Sequence, residues 1–264
     1  MSLSAAAAGP REVVIIGASL AGLFAAAAAV AAGARTVIIE RDTLPETSVA
    51  RRGVPQGRQP HVLLHRGLLA AEKLVPGIRE DLLNHGAVPF DTGTMAWLGE
   101  YGWLPTWIPA YETVSATRPL LEQLVREKVR NLDGVTLREG LRVTELQHVA
   151  DRWRVIFADG GNFPADLVID ASGRGSRLPQ WLAELGVGVP EPLMVDARLG
   201  YACRAYRANG KPPIEIGVMI QATPQTGRGA LALPVEDGHW LVVAVGYGDR
   251  RPTRDTGEFD QFLA

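Results

Sequence analysis

Cysteine is almost absent from this sequence, since Cys203 is the only one in 264 residues. A single cysteine excludes an internal disulfide and favours a reducing compartment, so we expect a cytoplasmic protein. An excess of either charge is also missing: Lys and Arg number 27, Asp and Glu number 29, and the net charge is -2. We therefore expect neither nucleic acid nor an anionic membrane surface as a partner.

Motifs for metal binding and for nucleophilic catalysis are absent as well. His61 and His65 are four residues apart, but there is no H-E-x-x-H pattern and no third ligand. No Ser/His/Asp triad and no cysteine nucleophile is evident in the sequence. We predict no metal site and no catalytic side chain, which fits chemistry carried by a cofactor.

One long uncharged segment is present, at residues 13–34. Its length alone allows a membrane span or the core of a signal peptide. The β-branched start, the break at Gly17 and the Ala-rich part that ends at Gly33 instead indicate a strand, a turn and a buried helix. We therefore expect no stable membrane insertion.

The same segment contains the pattern G-x-S-x-x-G, at Gly17, Ser19 and Gly22. In a dinucleotide-binding fold the first glycine makes a tight turn, the middle residue lets the backbone approach a pyrophosphate, and the last lets the helix pack on the sheet. Serine is small, but it is not the usual glycine. The helix start at Leu20 and Ala21 would offer N–H groups to the phosphates.

The next apolar run, at residues 37–39, ends in Glu40. An acid about 20 residues after the glycine turn is placed to accept hydrogen bonds from a ribose. The strand, the glycine turn, the helix and the acid together predict binding of an adenine dinucleotide.

Farther along, the chain alternates helical and strand patterns. We predict helices at residues 61–75, 81–84, 118–131 and 178–185, the third of them capped by Ser115 or Thr117. Residues 141–149 and 152–158 are predicted to form a hairpin. After Pro192 we predict long antiparallel strands at residues 194–208, 214–222 and 230–247, with a hairpin turn at 236–238.

Four stretches resemble a known family when they are taken in order. They are residues 16–22 with Glu40 and Arg41, the loop R-R-G-V-P-Q at 51–56, T-R-P-L-L-E at 117–122, and D-L-V-I-D-A-S-G-R-G-S-R at 166–177. Over nearly the whole chain the sequence resembles the FAD-dependent monooxygenases of the aromatic-hydroxylase type and their relatives among epoxidases, halogenases and geranylgeranyl reductases. The resemblance implies an α/β protein, in which a glutathione-reductase-like FAD-binding Rossmann fold is interleaved with an antiparallel β-sheet substrate domain.

The domain boundaries follow from this resemblance. We expect a disordered tail at residues 1–11. Residues 12–86 and 115–186 would form the FAD-binding domain, and residues 87–114 and 187–264 the substrate domain.

The resemblance also implies cofactor contacts outside the glycine turn. Arg41 would lie on the adenosine side, and Arg52 (or Arg51) and Arg118 would reach the ribityl and pyrophosphate region. Val143, on a strand that we expect beside the first parallel strand, would contact adenine through its backbone. In the alternative interpretation, Arg118 is an exposed first-turn residue and the paired arginines are solvated.

Two departures from the family pattern stand out. The family's D-G pair, linked to both FAD and NADPH use, is Ser172-Gly173 here. The turn should survive this change, whereas nicotinamide use is put in doubt. The family's later G-D-A motif is missing, because Gly248-Asp249-Arg250 lies in a polar loop, and the chain stops inside a helix that we predict near Thr256. We therefore expect this to be the N-terminal portion of a longer enzyme.

The activity that the resemblance implies is oxygen insertion. Reduced FAD would react with O2 to give a flavin hydroperoxide, which hydroxylates or epoxidises an apolar or aromatic small molecule, with NAD(P)H as electron donor. The aromatic residues Trp97, Tyr101, Trp103, Trp107 and Tyr111 fall where this family builds one wall of the substrate pocket, although an ordinary aromatic core explains them equally well. An FAD-dependent reductase, a halogenase and an inactive FAD-binding fragment stay open as alternatives, and so does a homodimer.

Overall fold

The computed structural model describes residues 11–207, 216–253 and 255–264. The disordered tail predicted at the N-terminus therefore lies outside the described residues, except for Arg11. The chain divides into two compact units. The first contains residues 1–54, 73–76 and 122–192, and the second contains residues 55–72, 77–121 and 193–264.

The described chain contains sixteen strands and six α-helices, numbered here in chain order. The strands are β1 Glu12–Ile16, β2 Arg35–Ile39, β3 Pro60–Leu63, β4 Val88–Asp91, β5 Ala96–Gly99, β6 Gly102–Trp103, β7 Glu112–Thr117, β8 Val135–Arg138, β9 Val143–Val149, β10 Arg152–Phe157, β11 Asn162–Ala165, β12 Leu167–Asp170, β13 Leu199–Arg207, β14 Val218–Ile220, β15 Arg228–Pro234 and β16 His239–Tyr247. The helices are α1 Leu20–Ala31, α2 His65–Leu74, α3 Ile78–Asn84, α4 Arg118–Arg130, α5 Leu178–Glu184 and α6 Thr256–Leu263.

The first unit is organised by a four-stranded parallel sheet in the order β12-β1-β2-β8. The central strand β1 is almost wholly buried, which explains its unbroken run of β-branched residues. Helix α1 connects β1 to β2. Since parallel strands end at the same edge, the loops after β1, β2 and β12 gather there, where ligands bind in folds of this type.

A second, antiparallel sheet of the first unit has the order β11-β10-β9. The predicted hairpin at residues 141–158 is confirmed by the pairing of β9 with β10. The expected position of Val143 is wrong, however. The neighbours of β1 are β2 and β12, and Val143 instead packs in a core with Leu146, Phe157 and Trp181. This core also contains Val14, Ile16 and Ile39, so Val143 packs against side chains of β1 and β2 although β9 is not hydrogen-bonded into the parallel sheet.

The second unit contains a six-stranded sheet in the order β13-β16-β15-β14-β5-β6. Its long strands β13, β15 and β16 pair antiparallel, and the predicted turn between the last two is confirmed at Glu236–Gly238. Asp237 and Gly238 there have φ values of 60° and 68°. One pairing departs from the antiparallel pattern, because β14 runs parallel to β5. A smaller antiparallel sheet has the order β3-β7-β4.

Three sequence-based boundaries need correction. The helix predicted at residues 61–75 begins only at His65, because Pro60–Leu63 pairs with β7 as strand β3. The tertiary pairing overrides a helical spacing of apolar residues. The strand predicted at 194–208 begins at Leu199, and the strand predicted at 214–222 is reduced to Val218–Ile220 in the described part.

The α4 prediction is confirmed within one residue. Of its two candidate caps, Thr117 accepts a hydrogen bond from the Leu120 N–H at 3.3 Å, while Ser115 lies within β7. Of the described helices, none is long and apolar enough to cross a membrane, and α1 has only 12 residues.

Candidate cofactor-binding site

The turn after β1 requires glycine at its first position. Gly17 has a φ of +105°, and its N–H donates to the Ile39 carbonyl oxygen at 2.8 Å. A Cβ added there would lie 2.6 Å from the carbonyl oxygen of Ala171, at the end of β12. No side chain fits between Gly17 and Ala171. Only glycine at this position therefore allows the ends of β1, β2 and β12 to lie so close together.

The start of α1 packs against the same turn. A Cβ on Gly22 would lie 1.8 Å from the carbonyl oxygen of Gly17, so the helix approaches the strand as closely as its backbone allows. The first intrahelical hydrogen bond runs from the Leu23 N–H to Ser19 O at 3.0 Å. The N–H groups of Leu20, Ala21 and Gly22 precede it, and a helix terminus of this kind attracts phosphate.

Glu40 follows β2 at the same edge and is 5% exposed. Its Oε2 accepts from the Ala18 N–H at 2.9 Å and lies 3.3 Å from Arg51 Nη1, and its Oε1 accepts from the Asp42 N–H at 3.0 Å. A carboxylate has about four acceptor positions, so roughly one is left for a further donor. Its other bonds fix the side chain in place beside the glycine turn.

Arg51 lies among three carboxylates, and its side chain is 8% exposed. Its Nε donates to Glu122 at 2.7 Å, and its Nη1 donates to Asp42 at 3.1 Å. Burial by itself would lower the pKa of the guanidinium, but the hydrogen bond and charge of Glu122, with Glu40 and Asp42, outweigh it and raise the pKa. Arg51 is therefore a permanent positive charge at the site.

The sequence did not decide which arginine of this loop, Arg51 or Arg52, lies at the site, and the structure distinguishes the two. Arg51 contacts Glu40, whereas the neighbouring Arg52 is exposed to solvent. Arg41 also lies at the edge, with its Nε 3.8 Å from Asp42 and its side chain 59% exposed. Arg118 opens α4 and is half-buried, and the division of the chain assigns it to the second unit.

The second glycine-rich turn also lies beside Gly17, through Ala171. The N–H of Ser172 donates to Asp170 Oδ1 at 2.9 Å, and the Ser176 hydroxyl donates to the other oxygen of Asp170. Ser172 and Gly173 are exposed, and Gly173 has a φ of +83°. Asp170 therefore holds this turn in shape, a role that the sequence did not indicate.

The sequence did not indicate the role of Glu122, the last residue of the T-R-P-L-L-E stretch. Glu122 is 4% exposed and accepts from the Ser19 hydroxyl at 2.8 Å. Arg126, one helical turn later, is also buried and donates to the carbonyl oxygen of Pro45 at 2.5 Å. The available signal was two charged residues on the apolar face of α4, since charges buried on such a face need partners.

The predicted histidine pair does not share a helix. His61 lies in β3 and its Nδ1 donates to the carbonyl oxygen of Gln59 at 2.9 Å, whereas His65 begins α2. Within the described ranges, no group of three or more His, Cys, Asp or Glu residues could hold a metal ion.

Comparison with known proteins identifies the family of the chain that carries this site. The family model of the FAD dependent oxidoreductases matches residues 12–188. The chain belongs to this family. The match includes the glycine turn, Glu40, the Arg51 loop, α4 and the Ser172 turn.

Two curated proteins are similar to this chain along most of its length. Protein Rv3254 of Mycobacterium tuberculosis is 32% identical over 256 residues, covering 90% of this chain and 54% of the relative. Rifampicin monooxygenase of Streptomyces venezuelae is 27% identical over 257 residues, covering 96% of this chain and 50% of the relative. The chain thus spans about half the length of the curated relatives it matches.

A solved structure shows the same fold. The tetrameric form of 2-methyl-3-hydroxypyridine-5-carboxylic acid oxygenase has a TM-score of 0.72 and 18% identity, over 97% of this chain and 66% of that one. The predicted fold class, a Rossmann-like parallel sheet interleaved with antiparallel sheets as in the aromatic-hydroxylase-type monooxygenases, is confirmed.

The residues at the edge fit the ADP half of FAD chemically. The turn is closed to any Cβ at Gly17 and Gly22, the start of α1 offers N–H groups to a diphosphate, and Glu40 offers an acceptor to a ribose hydroxyl. Arg51 pairs with Glu40, Asp42 and Glu122 there, so its positive charge is taken up by these carboxyl groups and holds them in place.

The second unit has a cavity of its own, of about 670 Å³. Its sheet residues include Trp97, Leu231, Val243 and Tyr247, and cross-strand pairs such as Leu231 with Val243 place them side by side. No Lys, Arg, Asp or Glu is found among the lining residues in the part of the chain that is described. The full lining is Gln56, Gln59, Pro60, His61, Trp97, Tyr201, Met219, Ile220, Gln221, Ala222, Gly229, Leu231, Val243, Val245 and Tyr247.

Only one of the five aromatic residues of the segment at 97–111 lines this cavity, namely Trp97. Tyr101, Trp103, Trp107 and Tyr111 are between 57% and 97% exposed. These four do not line this cavity, and their exposure shows that the aromatic-core interpretation is wrong for them. The substrate-pocket interpretation of the segment stays a prediction.

Proposed function

We propose that this chain carries the FAD site and the substrate-binding sheet of a monooxygenase that hydroxylates or epoxidises an apolar or aromatic small molecule. Within the first unit, the FAD site would be formed by Gly17, Ser19, Leu20, Ala21, Gly22, Glu40, Arg41, Val143, Ser172 and Gly173, with Arg51 in place of the exposed Arg52. We also propose the domain boundaries expected from the sequence, and a cytoplasmic location. The family supports the cofactor.

The observation that carries the proposed substrate class is the uncharged cavity of the second unit. Its volume of about 670 Å³ is in the range of small-molecule sites. Five adjacent strands, from β13 to β5, contribute to its floor, and at about 4.8 Å per strand they span roughly 19 Å. A cavity of this breadth suits an extended or polycyclic molecule.

The polar groups of the lining suit a neutral substrate. They are amides, hydroxyls and one imidazole, from residues such as Gln59, His61, Tyr201 and Gln221. These groups exchange hydrogen bonds with alcohols, carbonyls and amides, whereas an ionised ligand would be buried without a countercharge. The apolar residues Trp97, Met219 and Leu231 would exclude water and orient the molecule.

When bound, FAD supplies the redox chemistry and the activation of O2. The overall reaction balances with a nicotinamide donor: substrate, O2, NAD(P)H and a proton give the oxygenated product, NAD(P)+ and water. The chain's own residues hold the cofactor, through Glu40, Arg51 and the start of α1, and bind the substrate. Ser172 replaces the family's aspartate and brings no charge to the nicotinamide.

Isotope incorporation tests the proposal. The chain is loaded with FAD and supplied with NADPH or NADH, and neutral aromatic compounds are screened for stimulated O2 uptake. We expect a product that contains one atom of oxygen from 18O2. Reduction of the compound without O2 uptake would favour a reductase, and a halide-dependent product would favour a halogenase.

A charged substitution in the cavity sharpens the test. Met219→Glu should abolish the stimulation of O2 uptake by substrate, because it places an unpaired carboxylate against an apolar substrate in a lining without countercharge. FAD binding should stay within about twofold of wild type, since independent sites do not couple strongly. Met219→Leu is the matched control, because it keeps the volume and adds no charge. Unchanged turnover in Met219→Glu would remove the cavity from the reaction.

A further inference from the structure

Glu122 is a carboxylate buried in the middle of α4, at 4% exposure. One oxygen accepts from the Ser19 hydroxyl at 2.8 Å and the other accepts from Arg51 Nε at 2.7 Å. These two partners lie 103 and 71 residues away in the sequence, in the loops that follow β1 and β2. Burying a charge is costly unless it is paired in this way.

Ser19 occupies the N-cap position of α1, but it does not cap the helix. A serine at this position ordinarily accepts a hydrogen bond from the second or third N–H of the helix. The side chain of Ser19 makes no such bond, and it donates to Glu122 instead. The first N–H groups of α1 are thereby left for another acceptor.

We propose that Glu122 is a positioning residue for the cofactor. By holding the Ser19 hydroxyl away from the start of α1, it allows a serine to stand in the middle of the glycine turn without competing with the diphosphate. The same carboxylate orients Arg51 at the edge of the sheet. This inference rests on the proposed FAD site.

Loss of the carboxylate has a specific consequence in this account. Without this hydrogen bond the Ser19 hydroxyl can turn toward the N–H groups of Ala21 or Gly22, which a diphosphate would otherwise bind. A glycine at position 19 has no hydroxyl and cannot compete. The effect of removing Glu122 should therefore depend on the residue at position 19.

A double-mutant cycle on FAD affinity measures this dependence. Apo protein is titrated into FAD and quenching of flavin fluorescence gives Kd for wild type, Ser19→Gly, Glu122→Ala and the double variant. We expect Glu122→Ala to weaken FAD binding about 10-fold or more in the wild-type background. In the Ser19→Gly background the loss should be at least about threefold smaller, since contacting residues couple.

Two further variants guard the interpretation. Glu127→Ala is the matched control, because Glu127 is an exposed glutamate on the same helix, and it should change the affinity less than about twofold. Glu122→Gln keeps the side-chain shape in case the alanine variant does not fold. It still offers an oxygen to Arg51 but presents N–H groups to Ser19, so we expect a loss of about threefold that Ser19→Gly again reduces.

Equal losses in both backgrounds, or an affinity at or above wild type in both Glu122 variants, would overturn the inference. The proposed FAD site has separate tests. If wild type does not bind FAD, or if Glu40→Ala and Gly17→Val leave the affinity unchanged, the site itself is wrong. If those two variants lose FAD, but the loss of FAD affinity in the Glu122 variants is simply additive with that of Ser19→Gly, the FAD site stands and only the proposed role of Glu122 is wrong.

Discussion

The two units of this chain differ in the charge of their candidate binding sites. At the sheet edge of the first unit, four ionised side chains and closely packed backbone lie within a few ångströms of one another, as in the contacts of Arg51 with Glu40, Asp42 and Glu122. The described lining of the cavity in the second unit contains no Lys, Arg, Asp or Glu. The comparison indicates a place built to recognise a charged, hydroxyl-bearing group and a place built for a neutral one.

Substituting the glycine of the turn should have the largest effect on the first unit. Gly17→Val places a branched side chain where a Cβ alone would lie 2.6 Å from Ala171 O, at a φ of +105°. We expect the purified protein to lose its FAD, with affinity reduced by about 100-fold or more.

The ratio of flavin to protein absorbance after purification measures this loss. Gly33→Asn is the control, since Gly33 also has a positive φ, of +83°, but a Cβ there meets nothing within 4 Å. Asparagine tolerates this conformation, and the control should keep its cofactor. A fully loaded Gly17→Val variant would contradict the placement of the diphosphate.

Removing the acid should have the next largest effect. Glu40→Ala deletes the acceptor proposed for the ribose, and each lost charge-assisted hydrogen bond costs roughly 1.5–3 kcal/mol. We expect FAD affinity to fall by about 10- to 100-fold. Fluorescence titration of the apo protein checks this, with Glu127→Ala as the exposed control, and an unchanged Kd would contradict the ribose role.

In the second unit, the carboxylate of Asp91 should contribute to the stability of the fold and not to the binding of FAD. Asp91 is 6% exposed and accepts from the N–H groups of Gly93, Ala110 and Tyr111. These hydrogen bonds, that from Tyr111 first, hold the pKa of Asp91 below its ordinary value. We expect Asp91→Asn to reduce the free energy of unfolding by about 2 kcal/mol at pH 7.

The contribution of Asp91 to the free energy of unfolding should depend on pH in a definite direction. A lowered pKa in the folded state adds stability above the unfolded pKa of about 4, and this stability is lost as the pH falls through the folded pKa. The advantage of wild type over Asp91→Asn in urea unfolding should therefore be full at pH 6 and shrink below about pH 4. A constant difference across this range would show that the charge of Asp91 is unimportant.

The smallest effect is expected to be stabilising. The hydroxyl of Ser115 is fully buried in β7 and has no hydrogen-bond partner among the described residues. Removing a buried, unsatisfied polar group recovers its desolvation cost, so Ser115→Ala should raise the free energy of unfolding by about 1 kcal/mol. A fall in the urea midpoint would mean that the hydroxyl does have a partner in solution.

The sequence was most informative where one short segment contains the whole signal. The strand, the turn at Gly17 and the helix start are neighbours in the chain, so their spacing predicts the loop directly. Glu122 and Asp170 act through contacts between distant segments, and no spacing rule reports these. Likewise, the pairing of Pro60–Leu63 with β7 overrode a local helical pattern.

The cavity of the second unit shows the same difference between features set by local sequence and features set by long-range contacts. The antiparallel strands were predicted from alternating patterns, but which side chains share one face depends on register across five strands. Trp97 lines this cavity, whereas Tyr101, Trp103 and Trp107 are exposed, and this difference depends on tertiary packing that no local pattern reports.

A crystal structure of this chain grown with FAD tests the central claim most directly. The account predicts that the diphosphate lies against the N–H groups at the start of α1, that a ribose hydroxyl donates to Glu40, and that Ser19 still donates to Glu122. A diphosphate bound elsewhere, with the carboxylate of Glu40 turned away from any sugar, would contradict the account.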